Sequence, residues 1–276
     1  MSSPAIDRNK PKKLLVTNTA AHRGRQVFAT PENGVLRHLC YGRILLDGTT
    51  PRAAFATEKR ETGLLCMKGA CRISVGDTAH DLDTHDGMYI PRGSSVEVTT
   101  STLVDLVEVA ADVEGDYPLQ VVRYADVKQD PTLKFTTGGP TSTRDLNIVL
   151  GKNVKAGRIV AGFTTIRPGH WASWPPHQHT DLLEEAYLYY DMPAPAFGIQ
   201  LVYDDTERPE FVEVVRDGDL VMMPSGYHPN VSIPGHAVSF VWMMAARREA
   251  LDRVFGVVNV QPGFEKGGSG LEASRK

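Results

Sequence analysis

The sequence is poor in cysteine, in long apolar runs and in any excess of charge. Only three of its 276 residues are cysteines, Cys40, Cys66 and Cys71. The number is odd and no pair has zinc-ribbon spacing, which argues against a disulfide framework and against a cysteine-held zinc. Buried free thiols in a reducing compartment are expected instead. No apolar run reaches the ~18 residues of a membrane-spanning helix. The opening stretch MSSPAIDRNKPKKLL lacks the apolar segment of a signal peptide. A cytoplasmic protein with no membrane partner is therefore expected. Lys and Arg number 30 against 33 Asp and Glu, a net charge of −3. With no basic field to draw in phosphates, no nucleic-acid partner is expected either. Helical periodicity is equally scarce. Only RREALDRVF (247–255) carries it, and a short C-terminal helix is expected there.

What the chain has in quantity is strand signal. LLCMKGACRISV (64–75) alternates around Gly69, where a hairpin turn falls. TLVDLVEVAADV (102–113), RIVAGFTTI (158–166), EAYLYY (185–190), FGIQLVY (197–203), FVEVV (211–215), DLVMMP (219–224) and AVSFVWMMA (237–245) continue the pattern. Gly, Pro and Asp separate them at short intervals, which predicts an all-β sandwich or barrel.

The chain also repeats itself. HDGMYIPRGSSVEV (85–98) resembles RDGDLVMMPSGYHPNV (216–231), at an offset of 131 to 133 residues. Both run Asp-Gly, strand residues, then Pro-x-Gly. Two β-domains of one architecture follow: an N-terminal barrel over 1–135 without metal ligands, and a C-terminal barrel over 136–256. Residues 257–276 form an extension whose Gly/Ser-rich end, EKGGSGLEASRK, is expected to be disordered. Only the second copy carries a histidine, His228, after its Pro-x-Gly.

The stretch WPPHQHTDLLEEAYLYY (174–190) holds the chemistry. His177 and His179 are two apart, and on a strand such residues share a face. Glu185 opens the next strand, and His228 sits in a turn near a strand end. Three neutral imidazoles and a carboxylate suit a divalent first-row ion, with positions left for water or substrate. Pro175 and Pro176 stiffen the approach to the histidines. His-x-His alone also occurs in ordinary loops, and a lone turn histidine readily bonds a backbone carbonyl. The ordered set, His-x-His, Glu, several strands, then Pro-x-Gly-x-His, is what points to metal.

That ordered set resembles the cupins, double-stranded β-helix barrels, and the two-copy layout resembles a bicupin. GHWASWPPHQHTDLLEEAYLYY, IQLVYDD (199–205) and MPSGYHP (223–229) are similar to the 5-deoxy-glucuronate isomerases of bacterial myo-inositol catabolism. EAYLYYDM (185–192) and FVWMM (240–244) are similar also to the sister family of 5-keto-4-deoxyuronate isomerases of pectin degradation. The match is good over roughly 140–245 and weaker in the N-terminal half. Thr180 stands where the inositol enzymes usually have an acid, and the turn before the glutamates is short.

The resemblance implies a metal-dependent aldose–ketose isomerase of a deoxy-uronic acid. Its metal ligands would be His177, His179, Glu185 and His228. Zinc comes first, with Mn, Fe, Co or Ni as alternatives. Glu184 has the commoner simple spacing from His179, but the family's Glu-x-Tyr pattern selects Glu185. The reaction needs a group that moves a proton and a donor that holds the far carboxylate. Tyr187 and Glu184 are the catalytic candidates. Arg144, Gln200, Tyr189 and Tyr227 are the substrate-binding candidates, although strand tyrosines also serve as packing and Arg144 could make a structural ion pair. His38, His80, His85, His170 and His236 have no partner spacing and read as structural or surface residues, while Trp171 and Trp174 are expected to wall the site. The partner is a small sugar acid, and edge strands make a homo-oligomer the expected assembly. An Fe(II) cupin dioxygenase and a non-enzymatic sugar-binding bicupin are the competing readings.

Overall fold

A computed structural model describes residues 13–275. The opening residues read above for a signal sequence lie, up to residue 12, outside that range, as does Lys276 at the end of the extension. Each half of the chain builds one large and one small antiparallel sheet. The first large sheet runs Gln120–Val122, Gly87–Ile90, Arg60–Gly69, Val104–Asp112, Cys40–Leu46, Gly24–Ala29. The second runs Leu15–Val16, Leu220–Met223, Leu183–Tyr190, Val238–Ala246, Ile159–Ile166, Arg144–Leu150, Lys134–Thr137. The small sheets repeat one order as well. Arg52–Ala56, Ser95–Thr99, Cys71–Val75 and Thr78–Leu82 correspond to Trp171–Ala172, Asn230–Ser232, Gly198–Val202 and Phe211–Val215.

The central strands are apolar on both faces because both faces are covered. VSFVWMMAA (238–246) is buried at every position. One face lines its own barrel; the other joins a core shared by the two large sheets, in which Tyr41, Leu65 and Val109 pack with Ile148, Val149 and Ile159. The remaining inner residues of the first barrel, among them Ile44, Leu64, Cys66, Met88 and Leu106, form a separate apolar cluster. All three cysteines are free and buried.

The register makes the internal repeat explicit. Glu185 pairs with Met223 and Thr62 with Ile90, and the next residue is Pro224 in one copy and Pro91 in the other. The barrels also exchange strands. Leu15–Val16 precedes the first barrel but pairs with Leu220–Met223 of the second, while Gln120–Val122 pairs back onto Gly87–Ile90 of the first. A cut at 135/136 therefore falls within the Lys134–Thr137 strand and separates Leu15–Val16 from its sheet.

Two expectations are corrected. Residues 247–255 form turns rather than a helix. Ala250 has a φ of +59°, and the Asp252 carboxylate accepts from the Arg248 backbone and guanidinium, so side-chain bonds replace a helical ladder. The tail is not disordered within the described residues. Asn259–Val260 pairs with His177–Gln178, Gln261 N donates to the Pro176 carbonyl (2.8 Å), and Leu271 and Ser274 are buried. The apolar residues scattered through the tail cover the mouth of the second barrel, which its polar composition concealed. No helix among the described residues is long and apolar enough to cross a membrane.

Candidate metal centre

The inner face of the second large sheet sets the site. Arg144 and Leu146, Thr164, Phe240, Trp242 and Met244, and Glu185 and Tyr187 alternate with outward residues on four adjacent strands and line one cavity. His177, His179 and Ser173 close one side. Phe255, Gly256, Val257, Val258 and Leu271 roof it.

His179 and Glu185 of this lining and the adjoining His228 each offer a ligand atom, all within 4.8 Å of one another, and all three are buried. Glu185 Oε2 lies 2.9 Å from His179 Nε2 and 3.1 Å from His228 Nε2. Each imidazole is held from behind. His177 Nδ1 donates to the Pro175 carbonyl (2.8 Å), His179 Nδ1 to Leu183 (3.2 Å) and His228 Nδ1 to Gly226 (2.8 Å). Those bonds fix the tautomer and leave each Nε2 as the coordinating nitrogen. The His228 Nε2 atom is buried with no hydrogen-bond partner. Nε2 lone pairs facing a carboxylate repel one another unless a cation lies between them, so the donor set fits a divalent ion. Without metal, that cation is a proton. Burial pushes His179 down, but the Glu185 carboxylate outweighs it and raises its pKa. Burial raises Glu185, but the His179 bond and the neighbouring His228 imidazole outweigh it and hold the carboxyl low.

His177 lies beside the compact triad. Its ring is 5.5 Å from that of His228, centroid to centroid. Burial and the neighbouring imidazoles push its pKa down to about 3, so it stays neutral and able to coordinate. Tyr187 reaches the cavity, its hydroxyl 2.8 Å from Ser173 Oγ, and burial drives its pKa well above the usual phenol value. Arg144 reaches the cavity too. It is 2% exposed, Nη1 donates to the Ser142 carbonyl (3.0 Å), and Nη2 has no partner. Burial lowers its pKa to about 10, which leaves the guanidinium charged at neutral pH. A buried donor without a partner costs about 1–3 kcal/mol.

Four candidates do not reach the cavity. The Glu184 carboxylate turns to the other face of its strand and accepts from the backbone N–H groups of Arg37, His38 and Leu39. It is an inter-barrel anchor rather than a catalytic group. Tyr189 donates to Gln200 Oε1 (2.5 Å), and Gln200 Nε2 donates to the carbonyls of His228 (2.9 Å) and Pro229 (3.2 Å). These two residues brace His228 from beneath. Tyr227 pairs with Tyr203 across an isolated bridge. Trp171 and Trp174 pack on each other, and Trp174 on Phe264, outside the lining. Thr180 fastens the loops, donating to Gln178 and accepting from Gly226 N. The sequence reading missed Trp242, which lies inside FVWMM, and Ser173.

The KduI/IolB family profile matches residues 14–256. The chain belongs to the KduI/IolB family. It is 25% identical over 250 residues to a 5-deoxy-glucuronate isomerase of Geobacillus kaustophilus, covering 84% of this chain and 88% of the relative. It is 31% identical over 227 residues to a 4-deoxy-L-threo-5-hexosulose-uronate ketol-isomerase of Kineococcus radiotolerans, covering 76% of each. Among solved structures, an IolB-like protein of Salmonella typhimurium superposes with a TM-score of 0.80 at 21% identity, over 92% of this chain and 98% of that one. Oxalate decarboxylase of Bacillus subtilis, described with Mn(II) centres, superposes at 0.63 and 13% identity, over 86% and 78%. These likenesses bear out the all-β cupin architecture of this KduI/IolB member.

Proposed function

We propose that the chain is a metal-dependent aldose–ketose isomerase that converts 5-deoxy-glucuronate to 5-dehydro-2-deoxy-gluconate. One observation carries this beyond family membership: His179 and Glu185 of a buried imidazole–carboxylate cluster line the same cavity as an unpaired buried guanidinium. A sugar acid needs both, one for the reacting oxygens and one for the far carboxylate. His179, Glu185 and His228, joined by His177, would hold a divalent ion, with zinc the first choice and Mn, Fe, Co or Ni the alternatives. When bound, that ion supplies Lewis acidity to the carbonyl and neighbouring hydroxyl.

The chain's own side chains do the rest. Arg144 binds the carboxylate and so fixes which end of the sugar meets the ligands. The Tyr187 phenol, kept neutral by burial and tied to Ser173, holds a proton at a reacting oxygen. Phe240, Trp242, Met244 and the roof exclude water from the reacting carbons. The relative at 31% identity favours a second substrate, the 4-deoxy-5-keto-uronate named for it. The homo-oligomer rests on the open edge strand Phe211–Val215, where Val212 is 50% exposed, and light scattering checks it.

The test is metal analysis of the purified protein together with an NMR assay on both uronates. The expected result is about one divalent ion per chain, with turnover that chelation abolishes and metal restores. Absence of turnover on either acid by fully loaded protein overturns the proposal.

A further inference from the structure

One histidine stands outside the compact triad. His179, Glu185 and His228 offer ligand atoms within 4.8 Å of one another, whereas the His177 ring lies beside them, 5.5 Å from that of His228. The segment that holds His177 there lies beyond the family match, which ends at residue 256. Among the described residues His177–Gln178 pairs with Asn259–Val260 and with no other strand. The next residue continues the contact. Gln261 N donates to the Pro176 carbonyl (2.8 Å), one residue before His177. Its side chain serves a second loop, since Tyr203 Oη donates to Gln261 Oε1 (2.7 Å). Tyr203 in turn exchanges backbone bonds of 2.9 and 2.8 Å with Tyr227, one residue before His228. One half-buried glutamine therefore joins the loop of His177 to the loop of His228.

The His179 end of the first loop has ties of its own. Thr180 Oγ1 accepts from Gly226 N (3.2 Å), and the Arg247 guanidinium donates to the carbonyls of Thr180 and Pro224. Those bonds hold His179 near His228 without the strap. The His177 end lacks them: Pro176, His177 and Gln178 find their backbone partners in residues 259–261. A ligand is placed only as well as the backbone that carries it. The same strap brings Val257, Val258 and Leu271 into the cavity roof.

We infer that Gln261 is a positioning residue that sets the approach of His177 to His228, so that the C-terminal strap governs how tightly the third imidazole binds the ion. This rests on the metal-centre reading given above, but not on the identity of the sugar. Coupling between two binding events is reciprocal, so an ion held by His177 also steadies the strap and the roof that it carries.

The full-length protein, stripped of metal, is titrated with Zn(II) against a chromophoric chelator. Gln261→Leu and Tyr203→Phe each remove the bond between the strap and the second loop, and each should weaken Zn(II) binding about tenfold. The two changes together should weaken it no further than either alone, because they share that bond. Gln261→Glu keeps an acceptor for Tyr203 and should hold the wild-type affinity. In a His177→Ala background, Gln261→Leu should change the affinity less than about threefold. Zn(II) should also slow amide exchange at residues 259–261 of the wild type about tenfold, and leave it unmoved in His177→Ala. Wild-type affinity in both Gln261→Leu and Tyr203→Phe, an equal loss in the His177→Ala background, or strap amides indifferent to Zn(II) overturns the inference. If a variant fails to fold, the exchange measurement on the wild type still decides. A wild type that takes up no Zn(II), Mn(II) or Co(II) instead overturns the metal centre itself.

Discussion

The two barrels share one frame and fill it in opposite ways. At the position of Glu185 the first barrel has Thr62, and two residues after the shared Pro-x-Gly it has Ser95 instead of His228. Trp242 over Gly162 corresponds by register to Glu108 over Gly42, and Leu146 to Arg25. Those two substitutions form an ion pair: Arg25 holds Glu108 through two bonds of 2.7 Å, with Phe55 beneath the guanidinium. The first barrel therefore neutralises its own polar groups, and the second leaves a guanidinium, an indole N–H and an imidazole unpartnered. A fold can be conserved within one chain while its capacity to bind is decided by whether buried polar groups find partners inside it.

The largest expected effect comes from removing the carboxylate at the centre of the cluster. Glu185→Gln should lower metal content and cut turnover by roughly 10³-fold, since the Lewis-acid contribution is worth several kcal/mol. Thr62→Ala, at the same place in the first barrel, should leave both unchanged. Metal analysis and the isomerase assay check the pair. Comparable losses in both variants would break the contrast between the barrels.

The next effect separates the two arginines. Arg144→Met removes a charge-assisted bond to substrate worth about 1.5–3 kcal/mol, so kcat/KM should fall by about 10- to 100-fold. Its melting temperature should hold or rise, because the buried guanidinium keeps one nitrogen without a hydrogen-bond partner. Arg25→Met should do the reverse. It leaves Glu108, whose side chain is only 5% exposed, without its cation, and so lowers stability while KM stays put. Calorimetry and steady-state kinetics on both variants decide the matter.

A third pair tests where the barrels agree. Glu61 accepts from the backbone of Gly157, Arg158 and Ile159 in the second barrel, as Glu184 accepts from Arg37, His38 and Leu39 in the first. These are symmetry-related anchors, and each reaches across to the other barrel. Glu61→Gln and Glu184→Gln should each cost about 2–3 kcal/mol of stability in denaturant titrations, with metal content retained. A Glu184→Gln protein of normal stability that has lost turnover would return Glu184 to the reaction.

These pairs also mark what could be read from sequence. The strands were legible because runs such as VSFVWMMAA must be covered on both faces, and the repeat was legible because its turns need Asp-Gly and Pro-x-Gly. The grouping of His179, Glu185 and His228 was legible because one turn and one strand start bring them together, while His177 lies beside that triad. The role of Glu184 was not, since its partners lie 145–147 residues away and nothing local distinguishes it from Glu185. Tyr189 and Gln200 shared the favourable alternation, yet their polar ends bond each other and the His228 backbone instead of the cavity. The tail misled for a different reason: a few apolar residues decide where it docks, while Gly and Ser dominate its composition.

The smallest effect expected is none at all, from grafting. Thr62→Glu with Ser95→His places two ligand types at the equivalent positions of the first barrel, so a frame-only account predicts a second metal site. The side chains already present predict otherwise. Thr62 shares its cavity with Arg25 and Glu108, so the guanidinium opposes a cation and the new carboxylate would compete with Glu108 for it. The strand at the mouth, Arg52–Ala56, reads RAAFA and offers no imidazole. Metal content per chain in the double variant should therefore equal that of the wild type. Only when Arg25→Leu and Glu108→Trp are added, removing the ion pair, should a weak second equivalent appear in a metal titration. A second equivalent in the double variant alone would mean that the Arg25–Glu108 pair does not keep the first barrel closed to metal.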